Sequence, residues 1–393
     1  MSSPIGLPVV GMVGGGQLAR MTHQAAIALG QSLHILSIAE DESAAVVTPD
    51  VRLGKHTDLE ALRAFAQECT VVTFDHEHVP GEHLRALEAE GYTVYPGSNA
   101  LRHAQDKLVM RTELAARDIA VPAFTEVHEV GEVLAFGAEH GWPVVAKAIR
   151  GGYDGRGVWL LGSPEEASVL VRELLQAGTP LMVEQHVEMR RELSAMVARS
   201  PFGQAAAWPV VETVQRDGIC VEVLAPAPGL SEQLAADAQQ LAIRIAEELG
   251  VVGVLAVELF ETNTGVLVNE LAMRPHNSGH WSIDGARTSQ FEQHLRAVLD
   301  YPLGRTEPLA PAVVMGNVLG GSEPGLRIDE RMHHLFARFP GAKVHWYGKA
   351  ERPGRKLGHV TMLGERMNPL RAEAELAAEF LGTGRWPDGF SIH

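Results

Sequence analysis

The sequence is poor in cysteine and has no long apolar run, and both absences restrict the class of protein. Only two cysteines occur among the 393 residues, which is too few for a disulfide framework. The most apolar stretch, residues 251–257, ends at Glu258 and is too short to span a bilayer. Residues 1–8 contain neither a basic segment nor a long apolar one, so no targeting sequence is indicated. We therefore expect a cytoplasmic protein that does not associate with membranes.

Positive charge is also scarce. The chain has 33 Lys and Arg against 49 Asp and Glu, a formal net charge of -16. Such a chain repels polyphosphate backbones, which argues against nucleic-acid binding. Any anionic substrate must therefore be held by a local group of cations. The hydrophobic content of 46% is that of a soluble globular protein, and the length suits two or three domains.

Alternating strand and helix patterns in the first hundred residues predict a parallel, doubly wound sheet. A strand at 8–13 is followed by glycines and by a helix at 17–29. The next segment reads as a small α+β unit, in which an apolar strand at 142–149 precedes a glycine-rich stretch. We therefore predict an α/β fold with domains at residues 1–105, 106–186 and 187–393.

The third predicted domain contains a long helix and a hairpin. We expect strands at 193–198 and 205–211, and a helix at 231–249 with Ser231 as its N-cap. A hairpin with strands at 254–260 and 266–271 follows. From about residue 311 onward, glycines and short apolar runs predict a small β-rich region.

A glycine turn at Gly14–Gly16 leads directly into the first helix. Such a turn presents free backbone amides to an anion at the helix N-terminus. A dinucleotide site is one interpretation, although the glycine spacing is irregular and only Glu40 or Asp41 could contact a ribose. A tight turn without a ligand is the other interpretation.

Two lysines and a second glycine-rich stretch indicate phosphate binding. Lys147 ends an apolar strand and is costly to bury without an anion, unless its amine reaches solvent. Lys107 begins a helix and could reach the same phosphates. Residues 151–157 contain four glycines, which would allow a flexible cover over phosphates, and Arg156 adds a charged fork. A plain hairpin turn is the alternative for this stretch.

Acidic and basic residues follow one another closely around the predicted hairpin. Glu258 and Glu270 lie on its two strands, and facing carboxylates of this kind can hold Mg²⁺. A pair of solvated edge residues is the alternative. The segment 274–280 contains an arginine, two histidines and an asparagine, which could cradle an anion. Lysines and arginines at 349–356 could clamp a substrate phosphate or form a solvated basic loop.

These residues, in this order, resemble the ATP-grasp superfamily and, within it, the 5-(carboxyamino)imidazole ribonucleotide synthases. The resemblance extends from about residue 14 to 361 and is most specific at 151–157, 269–280 and 347–360. It implies an ATP-grasp fold with an N-terminal Rossmann-like domain, an α+β lid and a C-terminal domain. It also implies carboxylation of aminoimidazole ribonucleotide by bicarbonate through carboxyphosphate, with ATP and Mg²⁺, in a homodimer.

The resemblance further implies roles for individual residues. ATP would be contacted by Lys107, Lys147, Gly152, Tyr153, Asp154, Gly155, Arg156, Gly157, Glu184, Gln185, His186, Val187, Glu192, Gln215, Asn269 and Glu270. Glu258 and Glu270 would hold Mg²⁺. Carboxyphosphate would be cradled by Arg274, His276, Asn277 and Lys349. The nucleotide substrate would be bound by Gln17, Leu18, Asp75, Tyr153, Asp154, Arg156, Arg355 and Lys356.

The chain departs from the family pattern at several of these positions. Lys107 stands where arginine is usual and Asp75 where glutamate is usual. His76 and His78 replace an aromatic residue and an asparagine, and Gln215 replaces a histidine. Three alternatives stay open: a formate-dependent glycinamide ribonucleotide transformylase, a dinucleotide-dependent oxidoreductase, and a nucleotide-binding regulator without activity.

Overall fold

A computed structural model describes residues 6–152, 155–321 and 325–390 of the chain. The strands are β1 (Val9–Val13), β2 (Ser32–Ser37), β3 (Val51–Leu53), β4 (Val71–Phe74), β5 (Phe124–Val127), β6 (Val144–Ala148), β7 (Val158–Leu161), β8 (Leu181–Gln185), β9 (Arg191–Arg199), β10 (Ala205–Ala207), β11 (Val211–Arg216), β12 (Ile219–Ala225), β13 (Gly253–Thr262), β14 (Gly265–Ala272), β15 (Ala312–Leu319), β16 (Lys343–Trp346) and β17 (Lys356–Gly364). The helices are α1 (Gln17–Ala28), α2 (Leu59–Ala66), α3 (Gly81–Ala89), α4 (Ser98–Gln105), α5 (Lys107–Ala115), α6 (Val130–His140), α7 (Pro164–Gln176), α8 (Glu232–Glu248), α9 (Ser282–Gly285), α10 (Gln290–Val298), α11 (Ile328–Arg338) and α12 (Met367–Thr383). Among these described residues, no helix is both long enough and apolar enough to cross a bilayer.

The first sheet is parallel and four-stranded, in the order β3-β2-β1-β4, which confirms the predicted architecture. Every residue of β1 is buried, as expected of a central strand with helices on both faces. The glycine turn follows β1 and lies against the end of β4. Gly14 has φ 115°, and a Cβ there would lie 1.7 Å from Asp75 Oδ1, so a side chain at this position would displace the carboxylate.

The second sheet is antiparallel, in the order β5-β8-β6-β7, and α6 and α7 pack on it. Its core is a small cluster of aliphatic side chains that includes Val144, Leu161 and Val183. The strand predicted at 142–149 is confirmed as β6, whereas β5 and α6 were not predicted. The strand β6 carries Lys147 near its end, next to the glycine-rich stretch.

The third sheet has nine strands, in the order β14-β13-β9-β11-β12-β15-β17-β16, with β10 beside β9. The predicted hairpin is confirmed as β13 and β14, and Glu258 lies directly opposite Glu270. The predicted N-cap is also confirmed, since the Leu234 backbone N–H donates to Ser231 Oγ over 3.2 Å. The three sheets fall one in each predicted segment, although the boundaries at 105 and 186 stay a prediction.

Two predictions for the third segment were wrong. The strand expected at 205–211 is divided into β10 and β11, and Pro209 lies between them. Proline has no backbone N–H and interrupts a ladder of hydrogen bonds. The C-terminal region is not made of short strands alone. Its strands β15 and β17 have 8 and 9 residues and extend the large sheet, and the 17-residue α12 packs on both.

The side chain of Arg111, on α5, joins the second sheet to the third. Its Nη2 lies 2.7 Å from Glu184 Oε2 on β8, and its Nη1 donates to the carbonyl oxygens of Val268 (3.1 Å) and Asn269 (2.7 Å) on β14. The side chains of Arg111 and Glu184 are only 1% and 3% exposed. A buried charge pair of this kind constrains its elements strongly, because neither partner can turn to solvent.

We predict that Arg111→Met lowers the free energy of unfolding by about 3–5 kcal/mol, because it leaves a buried carboxylate short of one cation and two carbonyls short of a donor. Denaturant unfolding measures the change. Arg305→Met is the matched control, because the Arg305–Glu307 pair is exposed and its loss should leave the unfolding midpoint unchanged. Equal midpoints for Arg111→Met and the unmodified chain would contradict the structural role of Arg111.

Candidate active site

A cavity of about 800 Å³ lies between the second and third sheets and is closed on one side by the first domain. Its walls combine the ends of β6 and β8 with the hairpin formed by β13 and β14. Many of the predicted site residues line it: Lys107, Lys147, Gly152, Gly155, Glu184, Gln185, His186, Val187, Glu192, Gln215, Glu258, Asn269, Glu270, Arg274, His276, Asn277 and Lys356. Residues far apart in sequence thus form one polar surface.

The two lysines in this cavity are held by acids and an amide. Lys147 Nζ lies 2.7 Å from Glu184 Oε1 and donates to Asn269 Oδ1 over 3.2 Å. Lys107 Nζ lies 3.1 Å from Glu270 Oε1. Burial alone would raise the pKa of Glu184, but Lys147 and Arg111 hold it below its usual range. Both ammonium groups are therefore oriented before an anionic ligand arrives.

Glu258 and Glu270 place two carboxylates on adjacent strands in the same wall. Burial raises the pKa of Glu258, and the negative charges of Glu270 and Glu192 raise it further. A divalent cation would remove this repulsion, and Mg²⁺ prefers carboxylate oxygens. No group of three or more His, Cys, Asp or Glu ligands forms among the described residues. The donor set therefore fits a Mg²⁺ ion that takes its other ligands from water and from nucleotide phosphates.

The turn after β14 carries Arg274, His276 and Asn277. Arg274 Nε lies 2.7 Å from Glu77 Oε1, so its partner is an acid of the first domain and not Glu258. His276 Nε2 lies 3.2 Å from Glu258 Oε1. Burial lowers the pKa of His276 to about 3, and the charges of Arg274 and Lys356 add to this effect. The imidazole is therefore neutral.

The hydrogen bonds of the turn fix the orientation of its side chains. The Ser278 backbone N–H donates to His276 Nδ1 over 3.4 Å, so the ring proton is on Nε2, which faces Glu258. The amide of Asn277 exchanges hydrogen bonds with that of Asn317, on β15, over 2.7 and 3.0 Å. Each polar side chain of the turn is thus held from outside the turn.

A second cavity, of about 610 Å³, lies beside the glycine turn of the first domain. The predicted residues Gln17, Leu18, Asp75, Arg274 and Lys349 line it. The Lys349 amine donates to Gln17 Oε1, and the Gly16 backbone N–H donates to Asp75 Oδ2 over 2.7 Å. Burial raises the pKa of Asp75 to about 7. The cavity therefore offers an ammonium group, backbone amides and an acid that titrates near neutral pH.

The two cavities adjoin at one place. Arg274, His76 and His78 line both of them. The three imidazoles of His56, His76 and His78 pack on one another there, with ring centroids 4.7–6.3 Å apart. Arg274 therefore lies between the hairpin carboxylates of the first cavity and any ligand bound at the glycine turn of the second.

Some predicted residues lie elsewhere. Arg156, Gly157 and Arg355 line neither cavity, and Arg355 Nη1 donates to the Ala350 carbonyl oxygen over 3.1 Å. Tyr153 and Asp154 lie outside the described residues. The roles assigned to these five residues stay predictions, as do those of the residues that line the cavities.

Sequence reasoning missed three residues that hold the site together, namely Glu77, Arg111 and Asn317. Glu77 lies between two histidines and could have been recognised as a partner for a cation. Asn317 is a polar residue within an apolar strand, which is a signal of a buried hydrogen bond. Arg111 resembles an ordinary solvated helix residue in the sequence, and only the tertiary structure shows its burial.

Comparisons with known proteins agree with this geometry over almost the whole chain. The ribonucleotide synthetase preATP-grasp domain matches residues 7–105, and the ATP-grasp domain matches residues 112–291. The phosphoribosylaminoimidazole carboxylase C-terminal domain matches residues 313–373. These matches favour the ligase interpretation over the oxidoreductase and the regulator.

Individual relatives and solved structures agree with these family matches. The N5-carboxyaminoimidazole ribonucleotide synthase of Mycobacterium tuberculosis strain H37Rv is 62% identical over 388 residues, 98% of this chain and 90% of the relative. The crystal structure of the synthetase from Thermus thermophilus has a TM-score of 0.84 at 37% identity, covering 96% of this chain and 99% of that one.

A further solved structure contains ligands. It is the Aspergillus clavatus synthase in complex with ADP and 5-aminoimidazole ribonucleotide, with a TM-score of 0.86 at 30% identity, covering 95% of this chain and 98% of that one. With two adjoining cavities, an ATP-grasp fold and a relative at 62% identity, the chain belongs to the N5-carboxyaminoimidazole ribonucleotide synthase family of ATP-grasp ligases.

Proposed function

We propose that this chain uses ATP and bicarbonate to carboxylate the exocyclic amine of 5-aminoimidazole ribonucleotide, in purine biosynthesis. The products are N5-carboxyaminoimidazole ribonucleotide, ADP and phosphate. The observation that supports this best is the position of Arg274, whose side chain lines both cavities. A reaction in two stages, with an unstable anion passed from one cavity to the other, needs a cation at that place.

The first cavity is the proposed ATP site. Lys107 and Lys147 are placed to neutralise phosphate oxygens. Gln185 ends β8, and His186 and Val187 follow it, where these three residues can contact the adenine. Glu192 accepts a hydrogen bond from Gln215 Nε2 over 3.3 Å, and this pair can contact the ribose. Glu258 and Glu270 would hold Mg²⁺, which would neutralise charge on the transferred phosphoryl group.

In the first stage, a bicarbonate oxygen attacks the γ-phosphorus and ADP departs, which gives carboxyphosphate. This intermediate carries more than one negative charge and decomposes readily in water. Fixed donors that neutralise it and exclude solvent stabilise it most, and a guanidinium offers a planar fork. Arg274, the neutral imidazole of His276 and the amide of Asn277 surround the place where it would form.

In the second stage, the amine of the ribonucleotide forms a bond to the carboxyl carbon, phosphate departs, and the nitrogen loses a proton. Gln17, Leu18, Asp75 and Lys349 line the cavity that would hold this substrate. The first backbone N–H groups of α1 have no acceptor within the helix, which suits an anionic or carbonyl-like group. Lys349 lines the second cavity, so its ammonium group could contact carboxyphosphate from the side of the ribonucleotide. Lys356 lines the first cavity, so its contact with the nucleotide would be made from there.

We predict that ATP hydrolysis by the purified chain requires Mg²⁺, bicarbonate and 5-aminoimidazole ribonucleotide together. A coupled assay for ADP with each component omitted in turn measures this requirement. Replacing bicarbonate and the ribonucleotide by formate and glycinamide ribonucleotide is the control that distinguishes the sibling ligase. Turnover with formate but not with bicarbonate would contradict the proposed function.

We predict that Arg274→Ala reduces carboxylated product by roughly 100-fold or more, the usual cost of losing one donor to a developing anion. The product formed per ATP consumed should fall as well, because carboxyphosphate would be lost to water. Both quantities are measured beside a melting curve.

Glu77→Gln is the matched control for Arg274→Ala, because it breaks the same ion pair and keeps the guanidinium. If Arg274 served only as a structural partner of Glu77, the two variants would lose stability alike and both would keep the normal ratio of product to ATP. That result would remove Arg274 from the proposed cradle.

We also propose that the chain is a cytoplasmic homodimer. Its two cysteines are free, which suits a reducing compartment. Val46 and Val47, neighbours in the sequence of the first domain, are 57% and 42% exposed, and exposed apolar side chains of this kind suit an interface. We predict a particle of twice the 42.4 kDa chain mass in sedimentation velocity, and a monomer at micromolar concentration would refute the dimer.

A further inference from the structure

The side chain of Gln290 lies directly behind the turn that carries His276, on the side away from the cavity. Gln290 is fully buried, and it is the first residue of α10. Its Oε1 accepts from the His276 backbone N–H over 2.8 Å, and its Nε2 donates to the His276 carbonyl oxygen over 2.8 Å. One amide group therefore binds both backbone polar groups of a single residue.

A third contact uses the remaining donor of the amide. Gln290 Nε2 also lies 2.8 Å from His280 Nδ1. His280 is fully buried, and burial holds its pKa well below the usual value, so the ring is neutral and Nδ1 can accept. The amide has one orientation only, because its oxygen must face the His276 N–H and its two N–H groups must face two acceptors.

The surrounding chain is shaped to admit this side chain. A Cβ on Gly279 would lie 2.6 Å from Gln290 Oε1, so a glycine is needed where the turn passes the amide. The backbone N–H of Gln290 donates to Ser282 Oγ over 2.9 Å, and Ser282 Oγ in turn donates to the Gly279 carbonyl oxygen over 2.6 Å. The turn thus packs around the N-terminal end of α10, where Gln290 lies.

We propose that Gln290 is a positioning residue for the carboxylation reaction, which fixes the backbone of His276 and thereby the aim of the His276 imidazole and the Asn277 amide. The proposal rests on the proposed function, in which this turn cradles carboxyphosphate. Gln290 lines neither cavity, so it acts through His276 and not by touching the substrate. A displacement of about 1 Å in a catalytic group can cost roughly 100-fold in rate.

The chain offers a matched control on the same helix. Gln293 is also fully buried, its Nε2 donates to the Gly304 carbonyl oxygen over 2.8 Å, and its Oε1 accepts from the Gly304 backbone N–H over 2.7 Å. This is the same double contact on a backbone segment that lines neither cavity. Loss of either amide should therefore affect folding to a similar degree, whereas only Gln290 is placed to affect the chemistry.

The experiment compares Gln290→Leu and Gln293→Leu for melting temperature, for ATP consumption and for carboxylated product. We expect similar losses in melting temperature for the two variants. We expect product per ATP to fall by on the order of tenfold in Gln290→Leu alone, with the KM for ATP little changed, because a displaced cradle releases carboxyphosphate to water. Gln293→Leu should keep the ratio of the unmodified chain.

Gln290→Glu is a second variant that keeps the shape of the side chain and the acceptor for the His276 N–H. It loses the donors to the His276 carbonyl and to His280, so we expect product per ATP to fall here too. This variant decides the question if Gln290→Leu does not fold. A normal ratio in Gln290→Glu, or an equal loss of ratio in Gln293→Leu, would overturn the positioning role.

His276→Ala distinguishes failure of this inference from failure of the proposed function. If His276→Ala loses the ratio of product to ATP and the Gln290 variants do not, the cradle stands and the role of Gln290 is refuted. If His276→Ala carboxylates with the normal ratio, the proposed role of the turn fails, and the role of Gln290 fails with it.

Discussion

The buried carboxylate of Glu184 is the group on which the geometry of the larger cavity depends. Arg111 from α5 and Lys147 from β6 both approach it within 2.7 Å. Lys147 also reaches the side chain of Asn269, and Arg111 reaches the carbonyl oxygen of the same residue. One anion thus fixes a lysine of the second sheet against a strand of the third. Without the Glu184 carboxylate, the ammonium group of Lys147 would be buried in an apolar strand with no charged partner, which is energetically unfavourable.

The same electrostatic principle extends through the rest of the site. In a chain with a formal net charge of -16, an anion is bound only where cations are fixed close together. Here three of the cations are already held by an acid: Lys107 by Glu270, Lys147 by Glu184, and Arg274 by Glu77. These acids orient the cations without surrounding them, so that the face towards the cavity stays available. Burying the carboxylate of Glu258 beside that of Glu270 costs free energy. A divalent ion would offset this cost, so the hairpin is a suitable place for one.

Local patterns predicted the elements well where the sequence alternates or repeats clearly. The first parallel sheet, the hairpin with Glu258 facing Glu270, and the cap at Ser231 were all predicted, because each depends on residues close together in the chain. The division at Pro209 was missed because apolar and alanine residues continue up to it. The helix α12 was not predicted, although its alanines and leucines follow a helical spacing.

The sequence predicted many of the residues of the site, but it did not predict how their side chains contact one another. Glycine-rich segments and unusual charged residues identified the lysines, the hairpin acids and the Arg274 turn of the larger cavity, and the family resemblance added residues 184–187, Glu192 and Gln215. Their partners were not predictable, because Arg111, Glu77 and Asn317 gain importance only through contacts more than thirty residues away in sequence. The partner of Arg274 could not be predicted for this reason, since the loop after β4 brings Glu77 to it.

The second cavity depends on contacts between the two ends of the chain. Ser43 Oγ donates to the Tyr347 carbonyl oxygen over 2.6 Å, and Arg20 Nη1 donates to the Ser43 carbonyl oxygen over 2.8 Å. These bonds hold the segment that precedes Lys349 against the first domain, where the lysine reaches Gln17. The first domain therefore cannot form this cavity alone. Because Arg274 follows β14 of the third sheet, the second cavity is complete only when the first and third parts of the chain are packed together, and the first cavity needs the second part as well.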